Sequence, residues 1–423
     1  MERVATDVWA QIAEKGVLSL VEAISDAESI DLANEYGTHN YAPMPVNIVR
    51  GEGARVWDGS GKEYIDCVGA YSAVAHGHLN PAIVRTIESQ LKKVALTSRA
   101  YYTSELGLFM KLLAQYCELD VVCPMNTGTE AVETCIKLAR KWGYDKKKVE
   151  DGRAEIIVCE DNFHGRTTTI VGFSSEQTYR EGFGPFTPGF RMVPFGDIDA
   201  LRAAITPNTV AFLAEPIQAE GGILVPPDGW LREVRDLCTK ENVLLVWDEV
   251  QTGFCRTGKK FAWMEEGAKP DLVAVGKPLG GGVLPVSAAV GRREVMDVFT
   301  PGTHGSTFGG NPLAAVTALA ALAEMETKDY AGNSARLGET LKAALKAIKC
   351  SAVIDVRGRG LLVGMEVDAS VDSKALQKAF IENGVLTKET RSRTFRFAPP
   401  LIADAPLIEE IVVRTKAALG SVC

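Results

Sequence analysis

The amino-acid sequence predicts an α/β protein: a mostly parallel sheet under helical cover in a large domain, followed by a smaller α+β domain. Three observations carry this. Short runs of β-formers, Glu155 to Cys159, Val210 to Ala214, Val243 to Asp248 and Leu272 to Lys277, alternate with helical stretches between about residues 100 and 300. The last two runs are nearly continuous in apolar residues, as strands buried on both faces are, and too short for helices. At 423 residues, 46% of them hydrophobic, the chain buries enough core for two lobes.

Taken in order, residues 1–50 read as an N-terminal arm of helical character. It stops near Tyr41-Ala42-Pro43-Met44-Pro45, where two prolines force extended backbone. Asp58-Gly59-Ser60-Gly61 then predicts a hairpin turn leading into Glu63 to Val68. The large domain is placed at 51–325. Within it Asn126-Thr127-Gly128-Thr129-Glu130 precedes a helical pattern with Ala131, Cys135, Leu138 and Trp142 on one face, and Thr127 with Glu130 has capping-box spacing. Residues 326–423 form the small domain, with strands near Leu361 to Val367 and Thr394 to Phe397. No internal repeat or low-complexity segment interrupts the plan.

Composition excludes several classes of function. A net charge of -8 argues against nucleic acid as a partner. Lys146-Lys147-Lys148, flanked by Asp145 and Glu150, reads as a solvated helix end. The longest apolar-rich stretch, around Pro312 to Ala323, is too short for a membrane span and reads as a core helix. Nine cysteines carry no CxxC or metal-ligand spacing, which fits reduced thiols and no metal; Cys423 is placed at the surface. The first 35 residues are acidic and poor in arginine, unlike a mitochondrial presequence, so the cytoplasm is expected, with the mitochondrion an alternative only if the start has been trimmed.

The chemistry is read from two charges. Residues just past the carboxyl ends of parallel strands line the crevice where ligands bind, so Asp248 and Lys277 meet the same ligand. That pairing suits pyridoxal 5'-phosphate: a desolvated carboxylate favours a protonated ring nitrogen, and a buried lysine supplies a neutral amine as nucleophile and proton carrier. For an isolated lysine, snorkelling to water would be the ordinary reading. A phosphate site stands nearby in sequence. Gly128 permits close backbone approach, while the amide and hydroxyl of Thr129 at a helix start supply donors.

Asp248-Glu249-Val250-Gln251-Thr252-Gly253, Gly276-Lys277 and His304-Gly305-Ser306-Thr307-Phe308-Gly309-Gly310-Asn311-Pro312 resemble the class III, pyridoxal-phosphate-dependent aminotransferases. The likeness runs from His39-Asn40-Tyr41 to Arg396-Phe397-Ala398-Pro399-Pro400. It implies the fold-type I architecture and a homodimer with shared active sites, Ser306 and Thr307 serving the neighbouring subunit's cofactor phosphate. It further implies that Phe163 stacks on the cofactor ring and Gln251 donates to its phenolic oxygen. His164 receives no catalytic role.

The same resemblance assigns the substrate residues. Arg166 and Arg396 hold carboxylates, Glu220 pairs with Arg396 when the amino donor lacks a second carboxylate, and Tyr41 with Tyr71 shapes the pocket. Planar, permanently charged guanidinium groups suit such a task. Arg391 and Arg393 are read as surface ion pairs. Tyr41 and Tyr71 together favour the ornithine-acting members: δ-amino transfer from L-ornithine to 2-oxoglutarate, by ping-pong kinetics, giving glutamate 5-semialdehyde and glutamate. Acetylornithine or 4-aminobutyrate as donor, an aminomutase, and a non-catalytic cofactor-binding module are the other readings.

Overall fold

The computed structural model describes residues 2–420; Cys423 lies outside them. The arm forms three helices, Glu2–Lys15, Val17–Glu22 and Asp26–Tyr36, the last capped by Ser25, whose hydroxyl accepts from the Glu28 amide at 3.2 Å. Strands β1 (Ile48–Glu52), β2 (Arg55–Asp58) and β3 (Glu63–Asp66) follow as an antiparallel set. The expected turn joins β2 to β3, where the Asp58 carboxylate accepts from the amides of Ser60 and Lys62, each at 3.0 Å.

The central sheet has seven strands. In chain order they are β4 (Val121–Met125), β5 (Glu155–Cys159), β6 (Phe190–Val193), β7 (Thr209–Ala214), β8 (Leu244–Asp248), β9 (Leu272–Val275) and β10 (Ser287–Gly291), and their spatial order is β4-β10-β9-β8-β7-β5-β6. The five strands from β9 to β6 are parallel, whereas β10 runs antiparallel to both β9 and β4. The four strands expected from sequence are all in the parallel part.

Alternate residues of β8 serve opposite faces. Val246 packs with Ala131, Cys135 and Leu138 of helix Gly128–Trp142, while Leu245 and Trp247 join Phe212 and Trp230 on the other side. Both faces are therefore dry, and each large side chain so buried contributes roughly 1.5–3 kcal/mol. Register places the chemistry: Asp248 pairs with Ala274, so Lys277, a short step further along the adjacent chain, emerges at the same end of the sheet.

The C-terminal part adds β11 (Val353–Arg359), β12 (Leu362–Val367), β13 (Val385–Leu386), β14 (Lys388–Glu389) and β15 (Thr394–Phe397). Strands β11-β12-β15-β14 form an antiparallel sheet, but β13 leaves it and pairs in parallel with β3. Strand β3, and through it β2 and β1, is thus hydrogen-bonded to a strand of the C-terminal part, whereas the sequence reading placed residues 1–50 in the arm and 51–325 in the large domain. A two-residue partner strand far along the chain has no local signature.

No helix among the described residues is long and apolar enough to cross a membrane, and helix Pro312–Thr327 packs into the core as expected. Among the described residues seven cysteines are free thiols, but Cys350 is disulfide-bonded, contrary to the expectation of uniformly reduced thiols. Pairing depends on proximity in the fold, which spacing along the chain does not report.

Candidate active site

Two cavities lie beyond the carboxyl end of the parallel strands, linked by a hydrogen bond from Gln251 of the first to Glu220 of the second. The first, about 160 Å³, is lined by Gly128, Thr129, Phe163, Asp248, Gln251 and Lys277, together with His164, Glu215 and Val250. Six of the eight residues expected to hold the cofactor line it. Helix Gly128–Trp142 points its start into this cavity and carries a complete capping box: the Glu130 amide bonds to Thr127 Oγ1 at 3.3 Å, and the Thr127 amide to Glu130 Oε2 at 2.7 Å. Residue 128 must lack a side chain, since a Cβ would lie 2.7 Å from Val250 Cγ1. Gly165, at φ 127°, likewise leaves room for Thr129, whose Oγ1 would sit 2.1 Å from an added Cβ.

Asp248 closes β8 and is only 5% exposed. One carboxylate oxygen accepts from the Val250 amide at 3.0 Å and the other from His164 Nδ1 at 2.7 Å. Each oxygen retains a lone pair for a further donor. His164 is fully buried, and its Nε2 has no hydrogen-bond partner. Burial disfavours the imidazolium, but the hydrogen bond and charge of Asp248 outweigh it and raise the pKa. Glu215, the residue after β7, is buried beside this pair. Desolvation pushes it up to about 7, with Asp248 adding to the effect and His164 opposing it; the amides of Phe163 and Ala219 donate to its carboxylate at 3.0 and 3.2 Å.

Lys277 begins a tight turn after β9 at φ 42°, a left-handed conformation that costs a non-glycine residue on the order of 1–3 kcal/mol. Burial lowers its pKa, against the pull of the Glu220 and Asp248 carboxylates, and Arg396 lowers it further. A neutral amine is the form that attacks a carbonyl carbon.

The second cavity, about 520 Å³, is lined by Tyr41, Tyr71, Arg166 and Glu220, with Tyr179, Lys388 and Arg391 among its other walls. Four of the five expected substrate residues border it directly. The fifth, Arg396 on β15, is 1% exposed and pairs with Glu220. Arg396 Nη1 also donates to Gln251 Oε1 at 3.1 Å, and Gln251 Nε2 donates to Glu220 Oε1 at 3.2 Å. This triangle joins the two cavities. Arg396 Nη2 and Nε remain buried without partners, which is the environment a substrate carboxylate would complete. Burial favours the neutral form of Glu220, but the Arg396 and Lys277 charges hold its pKa below the usual value.

Tyr71 reaches this cavity from a left-handed run, φ 52°, 45°, 58° and 76° at Gly69, Ala70, Tyr71 and Ser72. The run is anchored by Asp66, whose carboxylate accepts from the amides of Val68 and Gly69 at 3.0 and 2.9 Å and bonds His78 at 2.8 Å. The Arg396 guanidinium lies 5.0 Å from the Tyr71 ring centre.

Ser306 and Thr307 do not line this chain's own cavities. Ser306 Oγ accepts from Asn126 Nδ2 and the Gly309 amide, both at 3.0 Å, and Thr307 is exposed. Sequence reasoning left His164 and Glu215 without roles. The rule that found Asp248, a charge ending an apolar strand, applies equally to Glu215. Arg391 does form the expected ion pairs, with Asp161 at 3.0 Å and Glu176 at 3.3 Å, but its side chain is only 16% exposed and borders the second cavity. Among the described residues Arg393 is not paired to an acid; it donates to the Val371 carbonyl at 2.7 Å.

The donor set of the first cavity fits pyridoxal phosphate: a helix start for the phosphate, a carboxylate with spare lone pairs for a ring N–H, and a lysine held below its ordinary pKa. The chain is 47% identical to an ornithine aminotransferase of Brevibacillus brevis over 92% of its length and 97% of that protein's. It superposes on the crystal structure of the ornithine aminotransferase of Toxoplasma gondii with a TM-score of 0.93 at 39% identity, covering 96% of this chain and 97% of that one. An acetylornithine aminotransferase from Elizabethkingia anophelis gives 0.85 at 41% identity, covering 94% and 99%. Residues 36–419 match the family described as aminotransferase class-III, and the chain belongs to that family.

Proposed function

We propose that this protein transfers the δ-amino group of L-ornithine to 2-oxoglutarate, using pyridoxal phosphate held in the first cavity. The observation that carries the reading is the Glu220–Arg396–Gln251 triangle between the two cavities. An amino donor without a distal carboxylate and a keto acceptor with one must share the site, and a guanidinium that is masked by Glu220 or offered to a carboxylate accommodates both. Bound pyridoxal phosphate supplies the electron sink for negative charge at the carbon bearing the amine.

The chain's own residues do the rest. Gly128 and Thr129 hold phosphate oxygens, Asp248 keeps the ring nitrogen protonated, and Phe163 covers the ring face. Gln251 donates to the phenolic oxygen. Lys277 is the nucleophile and carries the proton to and from the reacting carbon, a task its lowered pKa suits. Arg166 takes the α-carboxylate of ornithine, then the distal carboxylate of the acceptor. Arg396 takes the α-carboxylate of glutamate, and Tyr41 and Tyr71 line the space between.

A homodimer completes the reading. Tyr101, Tyr102, Leu96 and Phe308 are large apolar side chains left exposed, and Phe308 adjoins Thr307, which we assign with Ser306 to the partner's phosphate site. A cytoplasmic location fits the acidic arm. The likeness to an acetylornithine aminotransferase favours acetylornithine as the second reading. Half-reaction rates with ornithine, acetylornithine and 4-aminobutyrate, followed by 2-oxoglutarate, decide between them: the largest kcat/KM is expected with ornithine, and preference for either other donor would overturn the proposal.

A further inference from the structure

Arg166 is exposed to the second cavity and makes no ion pair among the described residues. A long side chain in that situation ordinarily samples many rotamers, each a cost when a ligand is bound. Here two aromatic rings hold it. The Arg166 guanidinium carbon lies 3.6 Å from the centre of the Tyr179 ring and 5.5 Å from that of Phe163, and the two rings meet edge to face with centres 6.2 Å apart. The Tyr179 ring carries a second cation, Arg391, at 5.4 Å. Arg391 is fixed in turn by Asp161 and Glu176. The Tyr179 hydroxyl makes no hydrogen bond among the described residues, so the ring face carries the contact.

We propose that Tyr179, braced by Arg391, is a positioning residue that holds the Arg166 guanidinium in the cavity without a salt bridge, so that a substrate carboxylate meets a pre-oriented cation. The inference rests on the assignment of Arg166 to a carboxylate and deepens it. Stacking restrains a planar guanidinium while leaving its N–H edge free, which an acidic partner would not do. Arg391 serves indirectly. Its own charge is met by Asp161 and Glu176, and its part is to hold the ring.

The test uses the cofactor-loaded protein and two readouts, calorimetric binding of glutarate and steady-state kinetics. Tyr179→Leu should weaken glutarate and raise KM for 2-oxoglutarate by about five- to tenfold, with kcat within about twofold. Tyr179→Phe should restore both. Arg391→Gln should cost about threefold alone and add nothing in the Tyr179→Leu background. With 2-oxobutyrate, which lacks the second carboxylate, Tyr179→Leu should leave KM unmoved.

Unchanged glutarate binding in Tyr179→Leu, an equal loss with 2-oxobutyrate, or additive effects of the two positions would overturn the inference. Should the wild-type protein fail to use ornithine yet show this Tyr179-dependent glutarate binding, the donor assignment falls and the positioning role stands.

Discussion

The two cavities share a wall but are made of different materials. The first is small, closed by strand ends and a capped helix, and its charges are buried and bonded to one another: Asp248 to His164, with Glu215 beside them. The second is about three times larger and is assembled from the arm, a left-handed turn, two short helices, the two-residue β14 and the loops beside them, with Arg166 and Tyr41 exposed. Rigid elements hold groups to the tolerance that bond-making needs, whereas loops carry recognition and vary without disturbing the scaffold. Chemistry and selection are therefore separable here, and substitutions should fall into two kinetic classes.

The largest effect belongs to the first cavity. Lys277→Ala removes the amine and the proton carrier together, so turnover should fall by at least about 10²–10⁴-fold and the visible absorbance of the lysine-bound cofactor should vanish. A variant with near-normal turnover would remove Lys277 from the mechanism. Next, Asp248→Asn keeps the shape but not the charge. It should lower kcat by about 10²–10³-fold with little change in substrate KM, while Arg166→Gln should do the reverse, raising KM for 2-oxoglutarate with a much smaller change in kcat. A common pattern for both would erase the distinction between the cavities.

The same contrast explains what could be read from the chain. Asp248, Lys277 and the Thr127–Glu130 capping box are legible because each breaks or ends a regular pattern, and the pattern fixes where the exception lies. Glu215 obeys that rule and was still missed, since Glu215-Pro216 resembles an ordinary strand exit until the fold puts it beside His164. The second cavity offers no such period. Tyr179 and Arg391 lie far apart in sequence and meet only because β15 and the loop before it return to the large domain. The pairing of β13 with β3 was invisible for the same reason.

The acids in the two cavities should also respond to pH with opposite sign. Folded Glu215 keeps its proton up to about 7, whereas an unfolded glutamate releases it near 4.5. Between those values the folded state binds the extra proton, so stability falls as pH rises. Glu249, buried under Thr252 and the Trp263 amide and also pushed up to about 7, acts in the same direction. Each contributes on the order of 3 kcal/mol across that window. Buried His76, lowered to about 4, opposes this between about pH 4 and 6.5, so thermal unfolding of the cofactor-free protein should show a net decline in stability from about pH 4.5 to 7 worth roughly one such carboxyl, most of it lost in Glu215→Gln. An unchanged slope would mean that Glu215 is ionised throughout.

Glu220 works the other way, and its substitution is the mildest and most discriminating change. Its lowered pKa contributes stability that is present above about pH 4.5 and is lost as pH falls through the folded value, because the unfolded state then binds the proton first. In Glu220→Ala, Arg396, 1% exposed, keeps Gln251 as the one side-chain hydrogen-bond partner of its guanidinium among the described residues, beside the face of the Tyr71 ring. An uncompensated buried cation is costly, and a substrate carboxylate that reaches it recovers part of that cost. On the proposed assignment, glutamate has such a carboxylate for Arg396, and ornithine, bound through Arg166, does not. The ratio of kcat/KM for glutamate to that for ornithine, measured as separate half-reactions, should therefore rise by roughly 10-fold, about 1.4 kcal/mol. If the ratio stays fixed while both rates fall, Glu220 holds the fold of the shared wall rather than choosing between donors, and the two cavities are less independent than their construction implies.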